Sequence, residues 1–590
     1  LIYGSDALGG VIHFKTRNPK FKMDSTNIIK VDGLLRYQSA LNAKVANINF
    51  QNGTERFAYF LGITRSEFGD LKMGSNRFHG FRDYGQIKNY VTRIDNRDTI
   101  MDNKNPNVVF GSGYEQTDLI WKGIYKANQF TNYKLNFQHS TTSNVPRVDK
   151  LNEYQNNELK FGEWDYGPQN RSLISLASES KKPTKLFNYN QTILAFQFIE
   201  EDRLSRAFQS DILEQNNEDV SVYSFNSDFI KFIDSTKKFK LNYGLEGLFN
   251  NVESSGTALN IKTQETGFLT SRYPGGGSTL LSVAAYLAVQ KKIKNHLIKG
   301  GGRYTRAKII SKFDTNEVVN LLSISHKSLI SQAITSSLGY VYHKANYKLY
   351  SSISSAFKSP NVDDFGKIFE KKGDLTIPNP QLKPETSVNY EIGSNFISKY
   401  FDFDIAGYFT QVFNLMTKLP TFINGNSTLE VNNELLRLVS IQNSGTANIY
   451  GGFGAVRLKI NERLNWYSTV TLTQGYYVKR NGFVGHIPPA YGKTSLSYKL
   501  KKLKLSVYSR FSKRKKWHTF NLLNDNPDEA IDNFGSPGWL TLNLSMFAYI
   551  SNDLKIQLSA ENLMNTHYKT FASGISAPGR NFIASFYFKF

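Results

Sequence analysis

Residues 581–590, NFIASFYFKF, decide the fold, because they alternate between two kinds of side chain. One face carries Phe582, Phe586, Phe588 and Phe590, and the other carries Ile583, Ser585, Tyr587 and Lys589. A period of two is that of a β-strand, and an aromatic face opposite a mostly polar one suits a strand between lipid and a wet lumen. In an open sheet such a strand would expose a hydrophobic edge, so the pattern favours a closed barrel.

The same alternation returns in other parts of the chain. In residues 238–245 the apolar set is Phe239, Leu241, Tyr243 and Leu245, and residues 401–409, 503–511, 540–546 and 555–563 repeat the phase. Apolar residues on one face with polar or small residues on the other predict strands that are wet on one side. The sequence therefore predicts an all-β protein, a transmembrane antiparallel β-barrel.

Composition agrees with a barrel and excludes a bundle of membrane helices. The chain has 590 residues, of which 40% are hydrophobic, and its mean hydropathy is -0.41. No apolar run approaches the roughly 18 residues that a spanning helix needs. The 43 Phe and 33 Tyr residues suit aromatic girdles at the two membrane interfaces. The chain contains no cysteine, so neither a disulfide framework nor thiolate chemistry is expected.

The formal net charge of +23 raises the question of an anionic partner. Nucleic acid is not expected, because the sequence has no zinc-finger spacing, RNP-like motif or long basic helix. The basic stretches 499–504 and 512–516 have two interpretations that stay open. They are either solvated turns and loops, or parts of a positive lumen and rim that attract anionic chelates or lipopolysaccharide phosphates.

Turn signals divide the chain into short and long connections. Short turns are predicted near residues 52–53, 398–400, 461–462 and 551–553, and these would be periplasmic. Long connections are predicted at residues 67–115, 140–170, 253–278, 358–386, 415–441, 475–491, 512–536 and 565–579. Allowing two strands for each loop gives about 22 strands, within the range of outer-membrane barrels.

Residues 3–12, YGSDALGGVI, resemble the closing segment of the plug domain of TonB-dependent receptors, which are active transporters of Gram-negative outer membranes. The residues that carry this resemblance are Tyr3, Gly4, Gly9 and Gly10. The chain begins without an initiator methionine or a signal peptide, so an N-terminal portion is expected to be missing. We therefore expect residues 1–20 to be the truncated end of a plug and residues 21–590 to be the barrel.

Two other regions resemble the same family. The paired loop boxes of the family match at Phe357, Pro360, Asn379, Pro380, Leu382, Pro384 and Glu385. The family's C-terminal assembly signal matches at Phe586, Phe588 and Phe590. For residues 379–385, prolines that merely stiffen a loop are as good an explanation as contact with a ligand.

The resemblance implies a function and a set of partners. It implies a receptor in the cell outer membrane that binds a ferric chelate, siderophore-like or haem, and imports it actively into the periplasm. Cobalamin or an oligosaccharide is the alternative cargo. The implied partners are TonB with ExbB and ExbD through the missing plug region, the barrel-assembly machinery, and outer-membrane lipid with lipopolysaccharide. The protein is expected to be a monomer.

Two segments combine aromatic and guanidinium side chains and are the candidate ligand-binding loops. The candidate residues are Arg77, His79, Arg82 and Tyr84 in residues 68–85, and Trp164, Tyr166 and Arg171 in residues 163–171. Such residues suit large, flat, anionic ligands, by stacking and by charge-assisted hydrogen bonds. The alternative is that the aromatics belong to the girdles and the arginines pair with loop acids.

Neither catalysis nor a metal site is expected. The sequence has no Gly-x-Ser-x-Gly, His-Glu-x-x-His or Walker motif, so an outer-membrane barrel hydrolase is only a remote alternative. The nine histidines form no pair at local spacing, so no metal ligands and no cofactor are predicted. Haem-importing relatives commonly carry a histidine between the loop boxes, but residues 362–378 have none. His79, His518 and His567 could substitute, although each is expected to be a surface histidine.

Overall fold

A computed structural model describes residues 4–5, 7–22, 28–155, 157–314, 319, 325–371, 373–431, 434–479, 482–521, 525 and 529–590. Its main body is a closed barrel of 22 antiparallel strands, as the sequence predicts. In chain order the strands are β1 (Ile28–Gln38), β2 (Ala43–Gly53), β3 (Phe57–Phe68), β4 (Tyr114–Lys126), β5 (Thr131–Thr142), β6 (Phe161–Ser180), β7 (Tyr189–Ala207), β8 (Ile212–Phe232), β9 (Phe239–Asn260), β10 (Ser278–Ile293), β11 (His296–Lys312), β12 (His326–Lys344), β13 (Tyr347–Lys358), β14 (Glu385–Ile397), β15 (Phe401–Phe413), β16 (Ala447–Lys459), β17 (Leu464–Tyr477), β18 (Tyr491–Lys499), β19 (Leu503–Ser512), β20 (Trp539–Tyr549), β21 (Leu554–Glu561) and β22 (Asn581–Lys589).

The connections contain shorter elements. Their strands are Leu71–Lys72, Asn89–Ile94, Arg97–Asp102, Val108–Val109, Val145–Pro146, Tyr154–Gln155, Glu158–Leu159, Thr266–Phe268, Phe369–Lys371, Asp374–Thr376, Met416–Pro420, Thr428–Val431, Glu434–Asn443, Lys515–Lys516 and Gly535–Ser536. The helical turns are Val148–Leu151, Val362–Phe365 and Trp517–Thr519. Among the described residues, no helix is both long enough and apolar enough to cross a membrane.

Strand β1 pairs with strand β22 and closes the barrel. Asp32 lies opposite Lys589 and Gln38 lies opposite Ile583, with each residue between them in register. The backbones of Val31 and Phe590 also bond to each other in both directions. Closure leaves no unpaired sheet edge in the lipid, which is the condition for a membrane-spanning sheet.

The predicted alternation is confirmed in the two faces of the wall. On β22, Phe582 and Phe586 are exposed on the outer face, whereas Ser585 is fully buried. On the lumen side Arg36 donates to Ser585 and to the hydroxyl of Tyr587, which donates to Gln557. Polar residues on the inner face thus bond to one another across strands.

The two ends of the barrel differ in the length of their connections. One end, the short-turn end, has turns of two to eight residues at 54–56, 127–130, 181–188, 233–238, 294–295, 345–346, 398–400, 460–463, 500–502 and 550–553. The other, the long-loop end, has connections at 39–42, 69–113, 143–160, 208–211, 261–277, 313–325, 359–384, 414–446, 478–490, 513–538 and 562–580. All four predicted short turns and all eight predicted long connections fall at the expected ends. The connections 39–42, 208–211 and 313–325 were not predicted.

Two predicted loops are shorter in the structure, because the strands beside them are longer. Strands β6 to β9 have 19 to 22 residues, about twice what a tilted strand needs to cross a bilayer. Residues 161–170 and 253–260 therefore belong to strands rather than to the loops predicted at 140–170 and 253–278. The antiparallel ladders continue above the membrane, where the outer face no longer needs apolar residues, so the sequence pattern there resembles that of a loop.

None of the described residues in the segment 4–22 belongs to a strand, and the segment lies inside the barrel. Lys122 Nζ on β4 donates to Thr16 O at 3.2 Å, and Arg17 pairs with Asp32 on β1 at 2.6 Å. At the other end of the segment, the Ser359 N–H donates to the Ser5 hydroxyl at 2.9 Å. Gly4, Gly9 and Gly10 of the predicted plug-end motif lie in this segment, and Tyr3 lies outside the described residues.

Gly33 on β1 leaves room for the aromatic ring that covers the closing seam. A Cβ at Gly33 would lie 2.4 Å from the Phe588 ring and 2.4 Å from Asn47 O. We expect Gly33→Ala to destabilise the barrel by about 1–3 kcal/mol, because backbone and ring must both shift. The measurement is the midpoint of thermal unfolding, followed by heat-dependent migration in SDS gels.

The matched control is Gly247→Ala on β9, where the nearest atom to an added Cβ is 3.9 Å away. Equal midpoints for the two variants would show that the seam tolerates the methyl group, contrary to this prediction.

Candidate functional site

Loops 69–113 and 562–580 join at the long-loop end and position the candidate site. The His567 N–H donates to Asn76 O at 2.9 Å, and the Asn76 N–H donates to Asn565 O at 2.9 Å. At Gly74 a Cβ would lie 2.2 Å from Thr566 O, so only glycine allows this approach. The two loops thus form one continuous layer, although they lie near opposite ends of the sequence.

A pair of histidines lies at this junction. His79 Nε2 and His567 Nδ1 are 3.4 Å apart, and His567 Nε2 is 2.9 Å from the Ser576 hydroxyl. The Phe81 N–H donates to His79 Nδ1 at 3.2 Å. These bonds assign the neutral tautomers: His79 Nε2–H donates to His567, and His567 Nε2–H donates to Ser576. Each ring nitrogen in this histidine chain has a partner.

The expectation that His567 is a surface histidine is wrong, because its side chain is 0% exposed. His79 is half-buried, and His518 is exposed as expected. The pairing joins residues 488 positions apart, so local spacing in the sequence gave no sign of it. Closure of the barrel could have revealed it, because pairing of β1 with β22 brings the loop that contains His567 near the loop that contains His79.

Burial keeps both histidines neutral. It lowers the pKa of His567 to about 3, with a further contribution from the positive charge of Arg77. The pKa of His79 is also lowered, first by burial and then by Arg77. Burial beside Glu529 raises the pKa of Tyr84, whose hydroxyl donates to Glu529 O at 2.6 Å. The junction therefore changes its charge only in acid.

Three of the four residues predicted in residues 68–85 come together. Arg77 Nε donates to Tyr84 O at 3.0 Å, and the His79 and Tyr84 rings meet edge to face with centroids 5.5 Å apart. Arg77 also donates to Asn107 at 2.9 Å, which ties the loop to itself. Arg82 is exposed and separate from this group. Arg77 thus holds the loop, and its buried Nη2 has no hydrogen-bond partner among the described residues.

The second predicted group is divided by the structure. Trp164 and Tyr166 lie on β6 with ring centroids 5.2 Å apart, in a T-shaped arrangement. Arg171 lies farther along β6, where its Nε donates to Gln197 at 2.8 Å. The cation that contacts both rings of the aromatic pair is Arg147, whose guanidinium carbon is 4.9 Å from each ring centroid, and Arg203 lies 5.6 Å from the Tyr166 ring. Sequence reasoning missed Arg147 because it lies in another segment, after the strand Val145–Pro146.

A cavity of about 600 Å³ opens between loops 69–113, 143–160 and 562–580, and we name it the outer pocket. Its apolar lining includes Met73, Val109 and Val148, which belong to one buried cluster. Its polar lining includes Asp149, Glu153, Lys160, Lys569 and Ser576. Ser576 is also the partner of His567, so the histidine chain adjoins the pocket. The volume is in the range of small-molecule sites.

Charge in the outer pocket is biased towards anionic ligands. Arg147 donates to both carboxylate oxygens of Asp149, at 2.8 and 2.6 Å, and Lys150 pairs with Glu153. The two acids are therefore already neutralised by basic partners from their own loop. Lys160 and Lys569 contribute their positive charge to the same lining.

The loop-box residues lie elsewhere and build the packing between loops 359–384 and 414–446. Phe357, Pro360, Leu382 and Glu385 are buried, whereas Pro380 is exposed and Pro384 is half-buried. Asn379 Nδ2 donates to Ile441 O at 2.8 Å, and Glu385 accepts from the Met416 N–H. Leu382 packs with Ile309, Leu329 and Phe365. Their contacts are those of residues that stiffen and anchor loops.

The chain is similar to known proteins both in family and in structure. The family model "TonB dependent receptor-like, beta-barrel" matches residues 45–563. The solved copper transporter OprC is 12% identical, with a TM-score of 0.74 over 97% of this chain and 82% of that one. The FrpB iron transporter from Neisseria meningitidis, F3-3 variant, is 13% identical, with a TM-score of 0.71 over 96% of this chain and 82% of that one. The siderophore receptor PirA from Acinetobacter baumannii is 14% identical, with a TM-score of 0.70 over 100% of this chain and 83% of that one. The comparison with curated proteins found no match.

Acid should loosen the junction of loops 69–113 and 562–580. In an opened junction His567 would bind a proton near pH 6.5, whereas in the closed junction it does so only near pH 3. Opening therefore takes up a proton between these values, and the closed junction loses stability as pH falls through that window. We expect hydrogen-exchange protection of Asn76 and His567, corrected for intrinsic rates, to fall between pH 7 and pH 4.5.

Loop 414–446 has no histidine and serves as the internal control. His567→Gln should weaken the dependence on pH, because a neutral amide replaces the buried imidazole. Protection that stays constant across the window in the parent protein would contradict the proposed charge coupling.

Proposed function

Because this chain belongs to the TonB-dependent receptor family of β-barrels, we propose that it imports a ferric chelate, siderophore-like or haem, across the outer membrane into the periplasm. Family membership makes it an outer-membrane transport protein whose energy comes through TonB, and not an enzyme. The long-loop end is then extracellular and the short-turn end periplasmic. A barrel hydrolase is no longer an alternative.

The outer pocket is the observation that carries this proposal. It lies among three extracellular loops, has the volume of a chelate site, and combines an apolar base with two lysines. A ligand entering there would lose water on its apolar side and keep its charges near Lys160 and Lys569. The solved proteins named above are described as a copper transporter, an iron transporter and a siderophore receptor. At their low sequence identity these proteins support the fold alone, so the proposed cargo is argued from the outer pocket.

The histidine chain favours a chelate whose metal is already fully coordinated. His79 Nδ1 and His567 Nδ1 accept hydrogen bonds, and the two Nε2 atoms carry protons that are donated. Neither ring has a lone pair left to bind iron unless one of these hydrogen bonds breaks. Haem that needs an axial histidine is therefore the less favoured of the two cargoes, whereas a ferric siderophore brings its own ligands.

The remaining parts of the transport cycle are proposed on the family resemblance. Residues 1–20 would be the end of the plug, and the position of residues 4–22 inside the lumen supports this. TonB, with ExbB and ExbD, would act on the plug. Phe586, Phe588 and Phe590 would be recognised by the barrel-assembly machinery, lipopolysaccharide would surround the outer half, and the receptor would act as a monomer.

Reversing the charge of the two pocket lysines should weaken binding of an anionic chelate. We expect Lys160→Glu with Lys569→Glu to lower affinity for a ferric catecholate at least tenfold, because two attractive charges become repulsive. Binding is measured by quenching of intrinsic fluorescence with a panel of ferric catecholate, ferric hydroxamate, haem and cobalamin.

Lys513→Glu with Lys516→Glu is the charge-matched control, since both lysines are exposed in loop 513–538. If both double variants bind every member of the panel as the parent does, the outer pocket is not the ligand site. Tight binding of cobalamin alone would replace the ferric chelate by the alternative cargo.

A further inference from the structure

Basic residues are concentrated in the periplasmic turns. The ten turns contain eleven Lys and Arg residues: Arg56, Lys181, Lys182, Lys185, Lys237, Lys238, Lys294, Lys399, Arg463, Lys501 and Lys502. They contain four acids: Glu55, Asp234, Glu462 and Asp553. The eleven extracellular connections, which are much longer in total, contain 26 basic and 22 acidic residues. We name the eleven basic side chains in the turns the basic rim.

The basic rim is exposed and is not used for internal pairing. All eleven side chains belong to exposed residues, and among the described residues none of them forms an ion pair. By contrast, Lys459, the last residue of β16, does form an ion pair, with Asp402 at 2.6 Å. The extracellular loops behave differently, since many of their charges are paired, as in the buried pair of Asp98 with Arg206 at the end of β7, at 2.6 Å. The rim charges are thus available to an external partner.

Exposed apolar residues accompany the basic rim in the same turns. Leu186 is 72% exposed and Tyr400 is 67% exposed, and Ile233 and Ile460 are also exposed. Lys399 Nζ lies 5.4 Å from the ring of Tyr400. An aromatic or aliphatic side chain beside a lysine is the arrangement that suits a membrane interface, where one group meets acyl chains and the other meets headgroups.

We propose that the basic rim binds the anionic headgroups of glycerophospholipids in the periplasmic leaflet. The charges occur in seven of the ten turns, so they surround the barrel instead of marking one sector as a protein partner would. Lipopolysaccharide phosphates do not reach this end, because they lie in the opposite leaflet. The sequence left two interpretations of residues 499–504, a solvated turn or part of a rim that binds lipopolysaccharide. The segment lies at the periplasmic end, so its lysines face the phospholipid leaflet.

The turns 181–188 and 500–502 should contribute most of this binding. The first contains Lys181, Lys182 and Lys185, and the second contains Lys501 and Lys502 between Lys499 and Lys504. Several cations within one Debye length of a headgroup add their attraction, and salt screens that attraction. A preference for anionic lipid that salt weakens is therefore the signature of the proposal.

The experiment measures lipid selectivity of the whole barrel in phosphatidylcholine vesicles. Spin-labelled phosphatidylglycerol and spin-labelled phosphatidylcholine report, by electron paramagnetic resonance, the fraction of lipid held at the protein. We expect the parent to prefer phosphatidylglycerol about two- to fourfold at low salt. The rim variant, with Lys181, Lys182, Lys501 and Lys502 changed to Gln, should approach equal binding.

The matched control changes four exposed extracellular lysines to Gln: Lys104, Lys479, Lys513 and Lys516. It should keep the preference of the parent, and 0.5 M NaCl should reduce that preference in both proteins. Heat-dependent gel migration confirms that each variant is folded. A parent without preference, or a rim variant that keeps the full preference, overturns the proposal and leaves an acidic periplasmic protein as the partner to examine.

Discussion

Backbone pairing in lipid is the constraint on which this structure depends. A strand within the membrane must pair on both sides, because the hydrocarbon offers no other partner for its N–H and C=O groups. The last two unpaired edges belong to β1 and β22, which meet over seven residue pairs from Asp32–Lys589 to Gln38–Ile583. The loops above the membrane are positioned by the barrel that this pairing closes.

The candidate site follows directly from the seam. Strands β1, β2 and β3 follow β22 around the barrel, so loop 562–580 before β22 lies near loop 69–113 after β3. That neighbourhood brings His79 to His567 and places Ser576 at the outer pocket. A site assembled from both ends of a sequence is thus a consequence of closing the sheet.

Strand existence could be predicted from the sequence because lipid imposes a strict period of two. Residues 581–590 and 238–245 display that period, and all of them except the terminal Phe590 and the turn residue Lys238 lie in strands of the barrel. The prediction failed where lipid ends, since residues 161–170 continue β6 without the regular apolar alternation that lipid imposes. The site was predicted in part: Arg77, His79 and Tyr84 share one loop and were found together. Arg147, the burial of His567 and the separation of Arg171 depend on contacts between distant segments, which periodicity does not encode.

Charged residues are arranged differently at the two ends of the barrel. This difference fits the two proposed roles, binding of cargo at the extracellular end and contact with phospholipid at the periplasmic end. At the extracellular end, basic residues such as Arg147 and Arg206 are bound by Asp149 and Asp98, so their charge shapes the loops and reaches solvent only weakly. At the periplasmic end, the rim lysines are unpaired among the described residues and exposed. The net charge of +23 is therefore a poor guide to ligand charge. At the proposed ligand site the basic residues are Lys160 and Lys569, whereas the larger excess of basic residues lies in the turns at the other surface of the membrane, beyond the range that the electrolyte leaves unscreened.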